Sequence, residues 1–258
     1  MCTKLLLLYV VTCNAFYLVA AIAGGHNSTI TRHQGAAYLQ RNNRLICGAA
    51  IISSNWLLTS AKCVGVGTHG LTVHAGSGFS SNGTSFQVEK VIVHPDYKQN
   101  SHDADLALLY VNENVTDTNF TRAFLLPCGN VQEIPEGAYC HLIGWGRLAN
   151  GSYPEQLQMA YTTALARETC RSMYSEELVT MKMFCVASSL NNLEQNGMAA
   201  CQGDFGGPVQ CFASGLIGLN GIASWGMGCK ETNNRPTVIT QVYNYLEWIT
   251  GVTGIVPP

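Results

Sequence analysis

The chain has 258 residues, of which 47% are hydrophobic and only 12% charged, with a net charge of -2. This length suits one domain, or two small barrels packed as one unit, with enough apolar residues for a sizeable core. The charge balance excludes a basic field for nucleic acid or an anionic membrane, and there is no low-complexity tract, long charge run or solenoid-length repeat.

Residues 1–21 read as a signal peptide. Lys4 supplies a short positive region, Leu5 to Val11 the apolar run, and Val19-Ala20-Ala21 the small residues that a signal peptidase inspects. A membrane anchor is the weaker reading, because Thr12, Cys13 and Asn14 interrupt the run well short of about 20 residues. No later segment is long and apolar enough to span a bilayer. The remainder, 22–258, is expected to be the folded domain. Its short β-rich runs alternate with turn residues: Gly48 to Ser53, Ser85 to Val93, Ala107 to Val111 and Leu216 to Trp225. Run length and the bounding Gly, Asn and Ser predict an all-β barrel or sandwich. Only Tyr243 to Val252 has helical spacing, with apolar residues at 245, 246, 248, 249 and 252.

Eleven cysteines fit an oxidising compartment. Cys2 and Cys13 leave with the signal, so nine remain and one is odd. Five Asn-X-Ser/Thr sequons begin at Asn27, Asn82, Asn114, Asn119 and Asn150, each in a polar stretch that reads as loop. Behind a signal peptide they are candidate glycan sites.

Three segments carry a resemblance. Gly203-Asp204-Phe205-Gly206-Gly207-Pro208 is similar to the Gly-Asp-Ser-Gly-Gly-Pro signature of the trypsin-like (chymotrypsin-fold) serine proteases, with phenylalanine where the nucleophile belongs. Leu57-Leu58-Thr59-Ser60-Ala61-Lys62-Cys63 resembles the family's Leu-Thr-Ala-Ala-His-Cys, with lysine in place of the general base. Asp103-Ala104-Asp105-Leu106-Ala107-Leu108-Leu109 matches Asp-Ile-Ala-Leu-Leu and keeps the acidic member as Asp105. The resemblance runs from Ile22 to about Val252. It implies an all-β fold of two six-stranded antiparallel barrels with a C-terminal helix, a cleft between the barrels and a joint near Phe124 to Ala138. It also implies the pairs Cys47–Cys63, Cys140–Cys211, Cys170–Cys185 and Cys201–Cys229. Cys128 is left over, either free or bonded to another chain. Tyr243 stands where some relatives place its partner.

In this family a serine oxygen attacks the carbonyl, a histidine takes its proton and an aspartate holds the imidazole. Phe205 has no oxygen to attack with. Lys62 beside Asp105 is expected to stay charged, in a direct Lys62–Asp105 ion pair with the Phe205 ring nearby, so that the groove becomes a structural plug. The backbone donors of Gly203 and Phe205 would still form an oxyanion pocket. Ile22-Ala23-Gly24-Gly25 resembles the family's mature start, so cleavage after Ala21 would free an Ile22 ammonium to pair with Asp204; cleavage one or two residues away would leave Asp204 without it. The pocket implied by the resemblance is small and apolar. Ala199 lies at its base where trypsins carry aspartate, Ser224-Trp225-Gly226 keeps one wall, and Thr237 projects inward.

No Asp or Glu occurs from Ala75 to Val88, where the family's calcium loop lies, so neither metal nor cofactor is expected. His102 is expected on an exposed loop without a catalytic role, and the other six histidines match no metal spacing. The favoured function is a secreted protease homologue that does not cleave peptide bonds. It would act as a binding or regulatory protein towards extracellular proteins such as proteases, their substrates or inhibitors. An active serine endopeptidase with a small apolar pocket is the competing class, and a small-ligand carrier a third.

Overall fold

The computed structural model describes residues 25–65, 67–116, 118–127, 133–148, 150–188, 200–213, 218–227 and 235–258. The signal segment, Ile22, Cys128, Ala199, Cys229 and the start of the 216–225 run lie outside the described residues.

Six strands close the first barrel: β2 (Ala36–Arg41), β3 (Arg44–Ile51), β4 (Trp56–Thr59), β5 (Leu71–Ala75), β6 (Thr84–Val93) and β7 (Ala107–Val111). Their order is β2-β3-β4-β7-β6-β5, and the β2–β5 pairing closes it. The two-residue turn from β2 to β3 is Asn42-Asn43, both at positive φ (51° and 61°). Asparagine tolerates that region, and such a turn matches the twist of the paired strands. Alternation does the rest: along β5, Leu71, Val73 and Ala75 are buried while Thr72 and His74 are half-buried.

The second barrel comprises β8 (Tyr139–Gly144), β9 (Gln158–Ala164), β10 (Met183–Ala187), β11 (Pro208–Phe212), β12 (Gly221–Trp225) and β13 (Thr237–Gln241), closed by β8 on β9. A short β1 (His26–Asn27) adds to β9. Cys140 and Cys211 are direct partners in the β8–β11 register, and a disulfide joins them.

The predicted C-terminal helix is a 3-10 turn at Val242–Tyr245 followed by α2 (Leu246–Thr253), stopped by Gly254 at φ 72°. The other helix, α1 (Arg167–Met173), was not anticipated. It is under two turns long and buries only Cys170, too little to leave a helical period. The β7–β8 connection contains the expected joint.

Each barrel has its own apolar interior, and two further clusters bind the barrels together. In one, Leu58, Leu106 and Leu108 of the first barrel meet Ile222, Val242, Tyr245 and Ile249. In the other, Ala36 and Tyr38 meet Ile143, Trp145 and Met159. The two signature loops face each other along this seam.

Candidate functional site

Asp105, just before β7, is fully buried (0% exposed). A bare carboxylate there would cost several kcal/mol, on the order of an unpaired buried ion. Three donors hold it. The Ser60 hydroxyl donates to Oδ2 at 2.6 Å, the Ser224 hydroxyl donates to the same oxygen at 2.6 Å, and the Lys62 main-chain N–H donates to Oδ1 at 3.0 Å. Ser60 and Lys62 come from the 3-10 turn after β4, and Ser224 comes from β12, where the register on β13 slips. Both barrels therefore supply the partners of one carboxylate. Ser60 is a site residue to which the sequence reading gave no role. The signal was present, because Ser60 replaces the first alanine of Leu-Thr-Ala-Ala-His-Cys. Its hydroxyl supplies a donor where an imidazole N–H would otherwise bond the aspartate.

The expected Lys62–Asp105 ion pair does not form. Among the described residues the ion pair is Arg167–Glu133, and Nζ of Lys62 does not come within 4.0 Å of an Asp105 carboxylate oxygen. The carboxylate is already saturated, so the lysine stem is free to turn. Nζ sits 3.6 Å from the centroid of the Phe205 ring, a cation–π contact. Phe205 does pack beside Lys62, as expected. The expectation that Asp105 governs the ammonium is also corrected: burial dominates and pushes Lys62 down to about 8, with Asp105 opposing.

The Phe205 loop is pinned from both sides. Gly48 N–H donates to the Phe205 carbonyl at 2.8 Å, and Gly206 N–H to the Ala223 carbonyl at 2.7 Å. Gly206 (φ 85°) lies so close to Thr59 and to the Gly48 carbonyl that no Cβ fits there. Neither Gly203 N–H nor Phe205 N–H has an acceptor among the described residues. Asp204, buried at 3% exposure, accepts from Gly146 N–H at 2.7 Å and from Cys201 N–H at 3.0 Å. Burial pushes its carboxyl up to about 7, and the two N–H bonds oppose that rise.

With both barrels and this loop in place, a family model described as Trypsin matches residues 22–249. The chain belongs to the trypsin family. It is 33% identical over 248 residues to tissue-type plasminogen activator of Homo sapiens, and 32% identical over 248 residues to those of Bos taurus and Sus scrofa. Each match takes in 88% of this chain and 44% of the relative, so the chain spans less than half the length of the curated relatives it matches.

Other family positions fall around the same cleft. Thr237 is buried, and its hydroxyl accepts from Ala200 N–H at 2.9 Å, beside the undescribed Ala199. Trp225 meets Tyr174 edge-on at 4.8 Å, and the Tyr174 hydroxyl lies over Gly226. His102 departs from expectation: it is half-buried, its ring 5.9 Å from that of Trp225. Left-handed backbone at His102 (φ 55°) and Ala104 (φ 50°), which is unusual for such residues, turns this loop against the cleft. Burial lowers the imidazole pKa, the Lys62 charge adds to that, and Asp105 opposes it.

Disulfides join Cys47 to Cys63, Cys140 to Cys211 and Cys170 to Cys185. Cys201 is also disulfide-bonded, and Cys229, its expected partner, is undescribed. All five sequon asparagines are exposed, but Asn27 lies in β1 rather than in a loop. No helix among the described residues is long and apolar enough to cross a membrane.

Proposed function

We propose that this chain is a non-catalytic member of the trypsin family, secreted after removal of residues 1–21, that binds extracellular proteins rather than cleaving them. The observation that carries this reading is the Lys62 ammonium seated on the Phe205 ring. A hydrocarbon occupies the nucleophile position, and a cation occupies the position of the base. The hydroxyls nearest the acidic group offer no substitute. Ser60 and Ser224 are each 0% exposed and already donate to Asp105. Loss of triad members leaves only the small residual catalysis that binding and oxyanion donors supply.

In this reading Ala199, Gly203, Ser224, Trp225, Gly226 and Thr237 are a vestigial specificity pocket and oxyanion hole. Asp204 pairs with an Ile22 ammonium, the five sequons carry glycans, and Cys128 is free for a bond to another chain. The relatives are named for activating plasminogen; by analogy, partners are sought among proteases, their substrates or their inhibitors.

One observation favours an active endopeptidase instead. The Gly203 and Phe205 N–H groups have no acceptor among the described residues, and a working oxyanion hole needs such donors free. Incubation with a mixed peptide library, read by mass spectrometry, decides between the two. The proposal expects the library to be returned intact, whereas new peptide termini with a consistent flanking preference would reject it.

A further inference from the structure

The segment from His26 to His33 is fastened to the second barrel around three histidines. Strand β1 pairs His26 with Met159 and Asn27 with Gln158, Ser28 N–H donates to the Leu157 carbonyl at 2.8 Å, and the 3-10 turn Ile30–Arg32 ends on His33. His33 is 4% exposed. Its Nε2 shares a 3.1 Å hydrogen bond with the Ser28 hydroxyl, and its Nδ1 has no partner among the described residues. His141, on β8, meets the His33 ring edge-on at 6.2 Å. It also meets Tyr161 of β9 at 5.0 Å, and His26 stacks on that tyrosine at 5.1 Å. The charged groups acting on His33 are His141, Arg32 and His26, and the one acting on His141 is His26; none of them is a carboxylate. A neutral imidazole suits this site and an imidazolium does not. The charged ring carries an N–H on both nitrogens, so Nδ1 would hold a proton out of water with no acceptor, beside two more histidines and a guanidinium.

We propose that residues 26–33 form an acid-released latch: protonation of His33 and His141 drives the segment off β9 while both barrels stay closed. The latch goes beyond the binding reading above and does not depend on it. Few contacts oppose release. Strand β1 has two residues, and the side-chain ties are Gln158 Nε2 to Asn27 Oδ1 at 2.6 Å and Gln156 Nε2 to the Ser28 carbonyl at 3.0 Å. Ile30 is the segment's only hydrophobic residue, and it is buried. Neither barrel needs the segment for closure, since β2 closes on β5 and β8 on β9. Burial, then His141, holds the latched His33 down to about 4, so the released form takes up a proton more readily and opening is favoured as pH falls. With an ordinary imidazole at about 6.5 after release, His33 alone raises opening about 25-fold between pH 7.4 and 5.0. His141, also lowered by burial, adds to that rise.

The test is hydrogen exchange of the purified mature protein, read by mass spectrometry at pH 7.4 and pH 5.0 and corrected for intrinsic exchange rates. Opening at the amides of Ser28, Arg32 and His33 is expected to rise at least about twentyfold, while peptides from β12 and β13 keep their protection. The double variant His33→Gln, His141→Gln should lose the rise and stay latched at pH 5.0. Unchanged protection over 26–33 in the unsubstituted protein overturns the proposal, and this comparison needs no variant. Protection lost together in 26–33, β12 and β13 also overturns it, because the acid transition is then global unfolding rather than local release. A rise that survives in the double variant overturns the assignment to these two histidines.

Discussion

Removing the Ser224 hydroxyl should harm this fold more than removing the Lys62 charge. Asp105 is 0% exposed and receives two hydroxyl bonds of 2.6 Å on one oxygen and a main-chain N–H at 3.0 Å on the other. Hydrogen bonds to a charged group are worth about 1.5–3 kcal/mol each, so Ser224→Ala and Ser60→Ala should each cost about that much. Because both hydroxyls serve Oδ2, the double variant should cost more than the sum, as one oxygen is left bare. Lys62→Met instead loses a partly desolvated cation–π contact of about 1–2 kcal/mol and gains by no longer burying an ammonium, so its net effect should be small. The Lys62 N–H on Asp105 is main chain and survives any side-chain change. Guanidinium unfolding at pH 7 with disulfides intact, followed by tryptophan fluorescence, ranks the variants. In heating, each kcal/mol corresponds to about 2–4 °C for a domain of this size. If Lys62→Met cost as much as Ser224→Ala, the ammonium would be the main partner of Asp105 and the account of the site would be wrong.

Three more outcomes are expected. Asp204 is raised to about 7 by burial, so the folded state holds its proton while the unfolded state has lost it; its contribution to stability therefore falls as pH rises from about 4 to 7. Asp204→Asn removes that fall in a chain retaining residues 1–21, whereas a chain beginning at Ile22 should lack it, since the new ammonium holds the carboxylate charged. His33 is pushed down to about 4, chiefly by burial and then by His141; its contribution is present above about 6.5 and lost as pH falls towards 4, and urea titrations of His33→Asn between those limits should lose that dependence. Non-reducing peptide mapping should link Cys201 to Cys229 and leave Cys128 outside the four intrachain pairs; a bridge from Cys128 to any of the eight would contradict the assignment.

The two barrels were legible because strand alternation and the three signature segments are local patterns. Phe205 and Lys62 could be placed at their positions for the same reason. Their contact could be read only half-way. That they adjoin follows from the signatures, but the direction of the lysine depends on whether Asp105 is already satisfied. That in turn depends on Ser60, a single hydroxyl where the pattern has a methyl, and on Ser224, 119 residues along the chain from Asp105. The inward turn of His102 could not be read, since nothing in His-Asp-Ala announces left-handed backbone at the first and third residues. Helix α1 and strand β1, at seven and two residues, are too short to carry a period.

The central claim is that no nucleophile operates in this cleft, and an active-site fluorophosphonate meets that claim most directly. The probe reacts with a serine only when a base activates it and oxyanion donors support the adduct. The purified mature protein, treated with excess probe beside an active trypsin, should remain unlabelled by intact mass. A stoichiometric adduct mapping to Ser60, Ser224 or any other residue of the cleft would contradict the account.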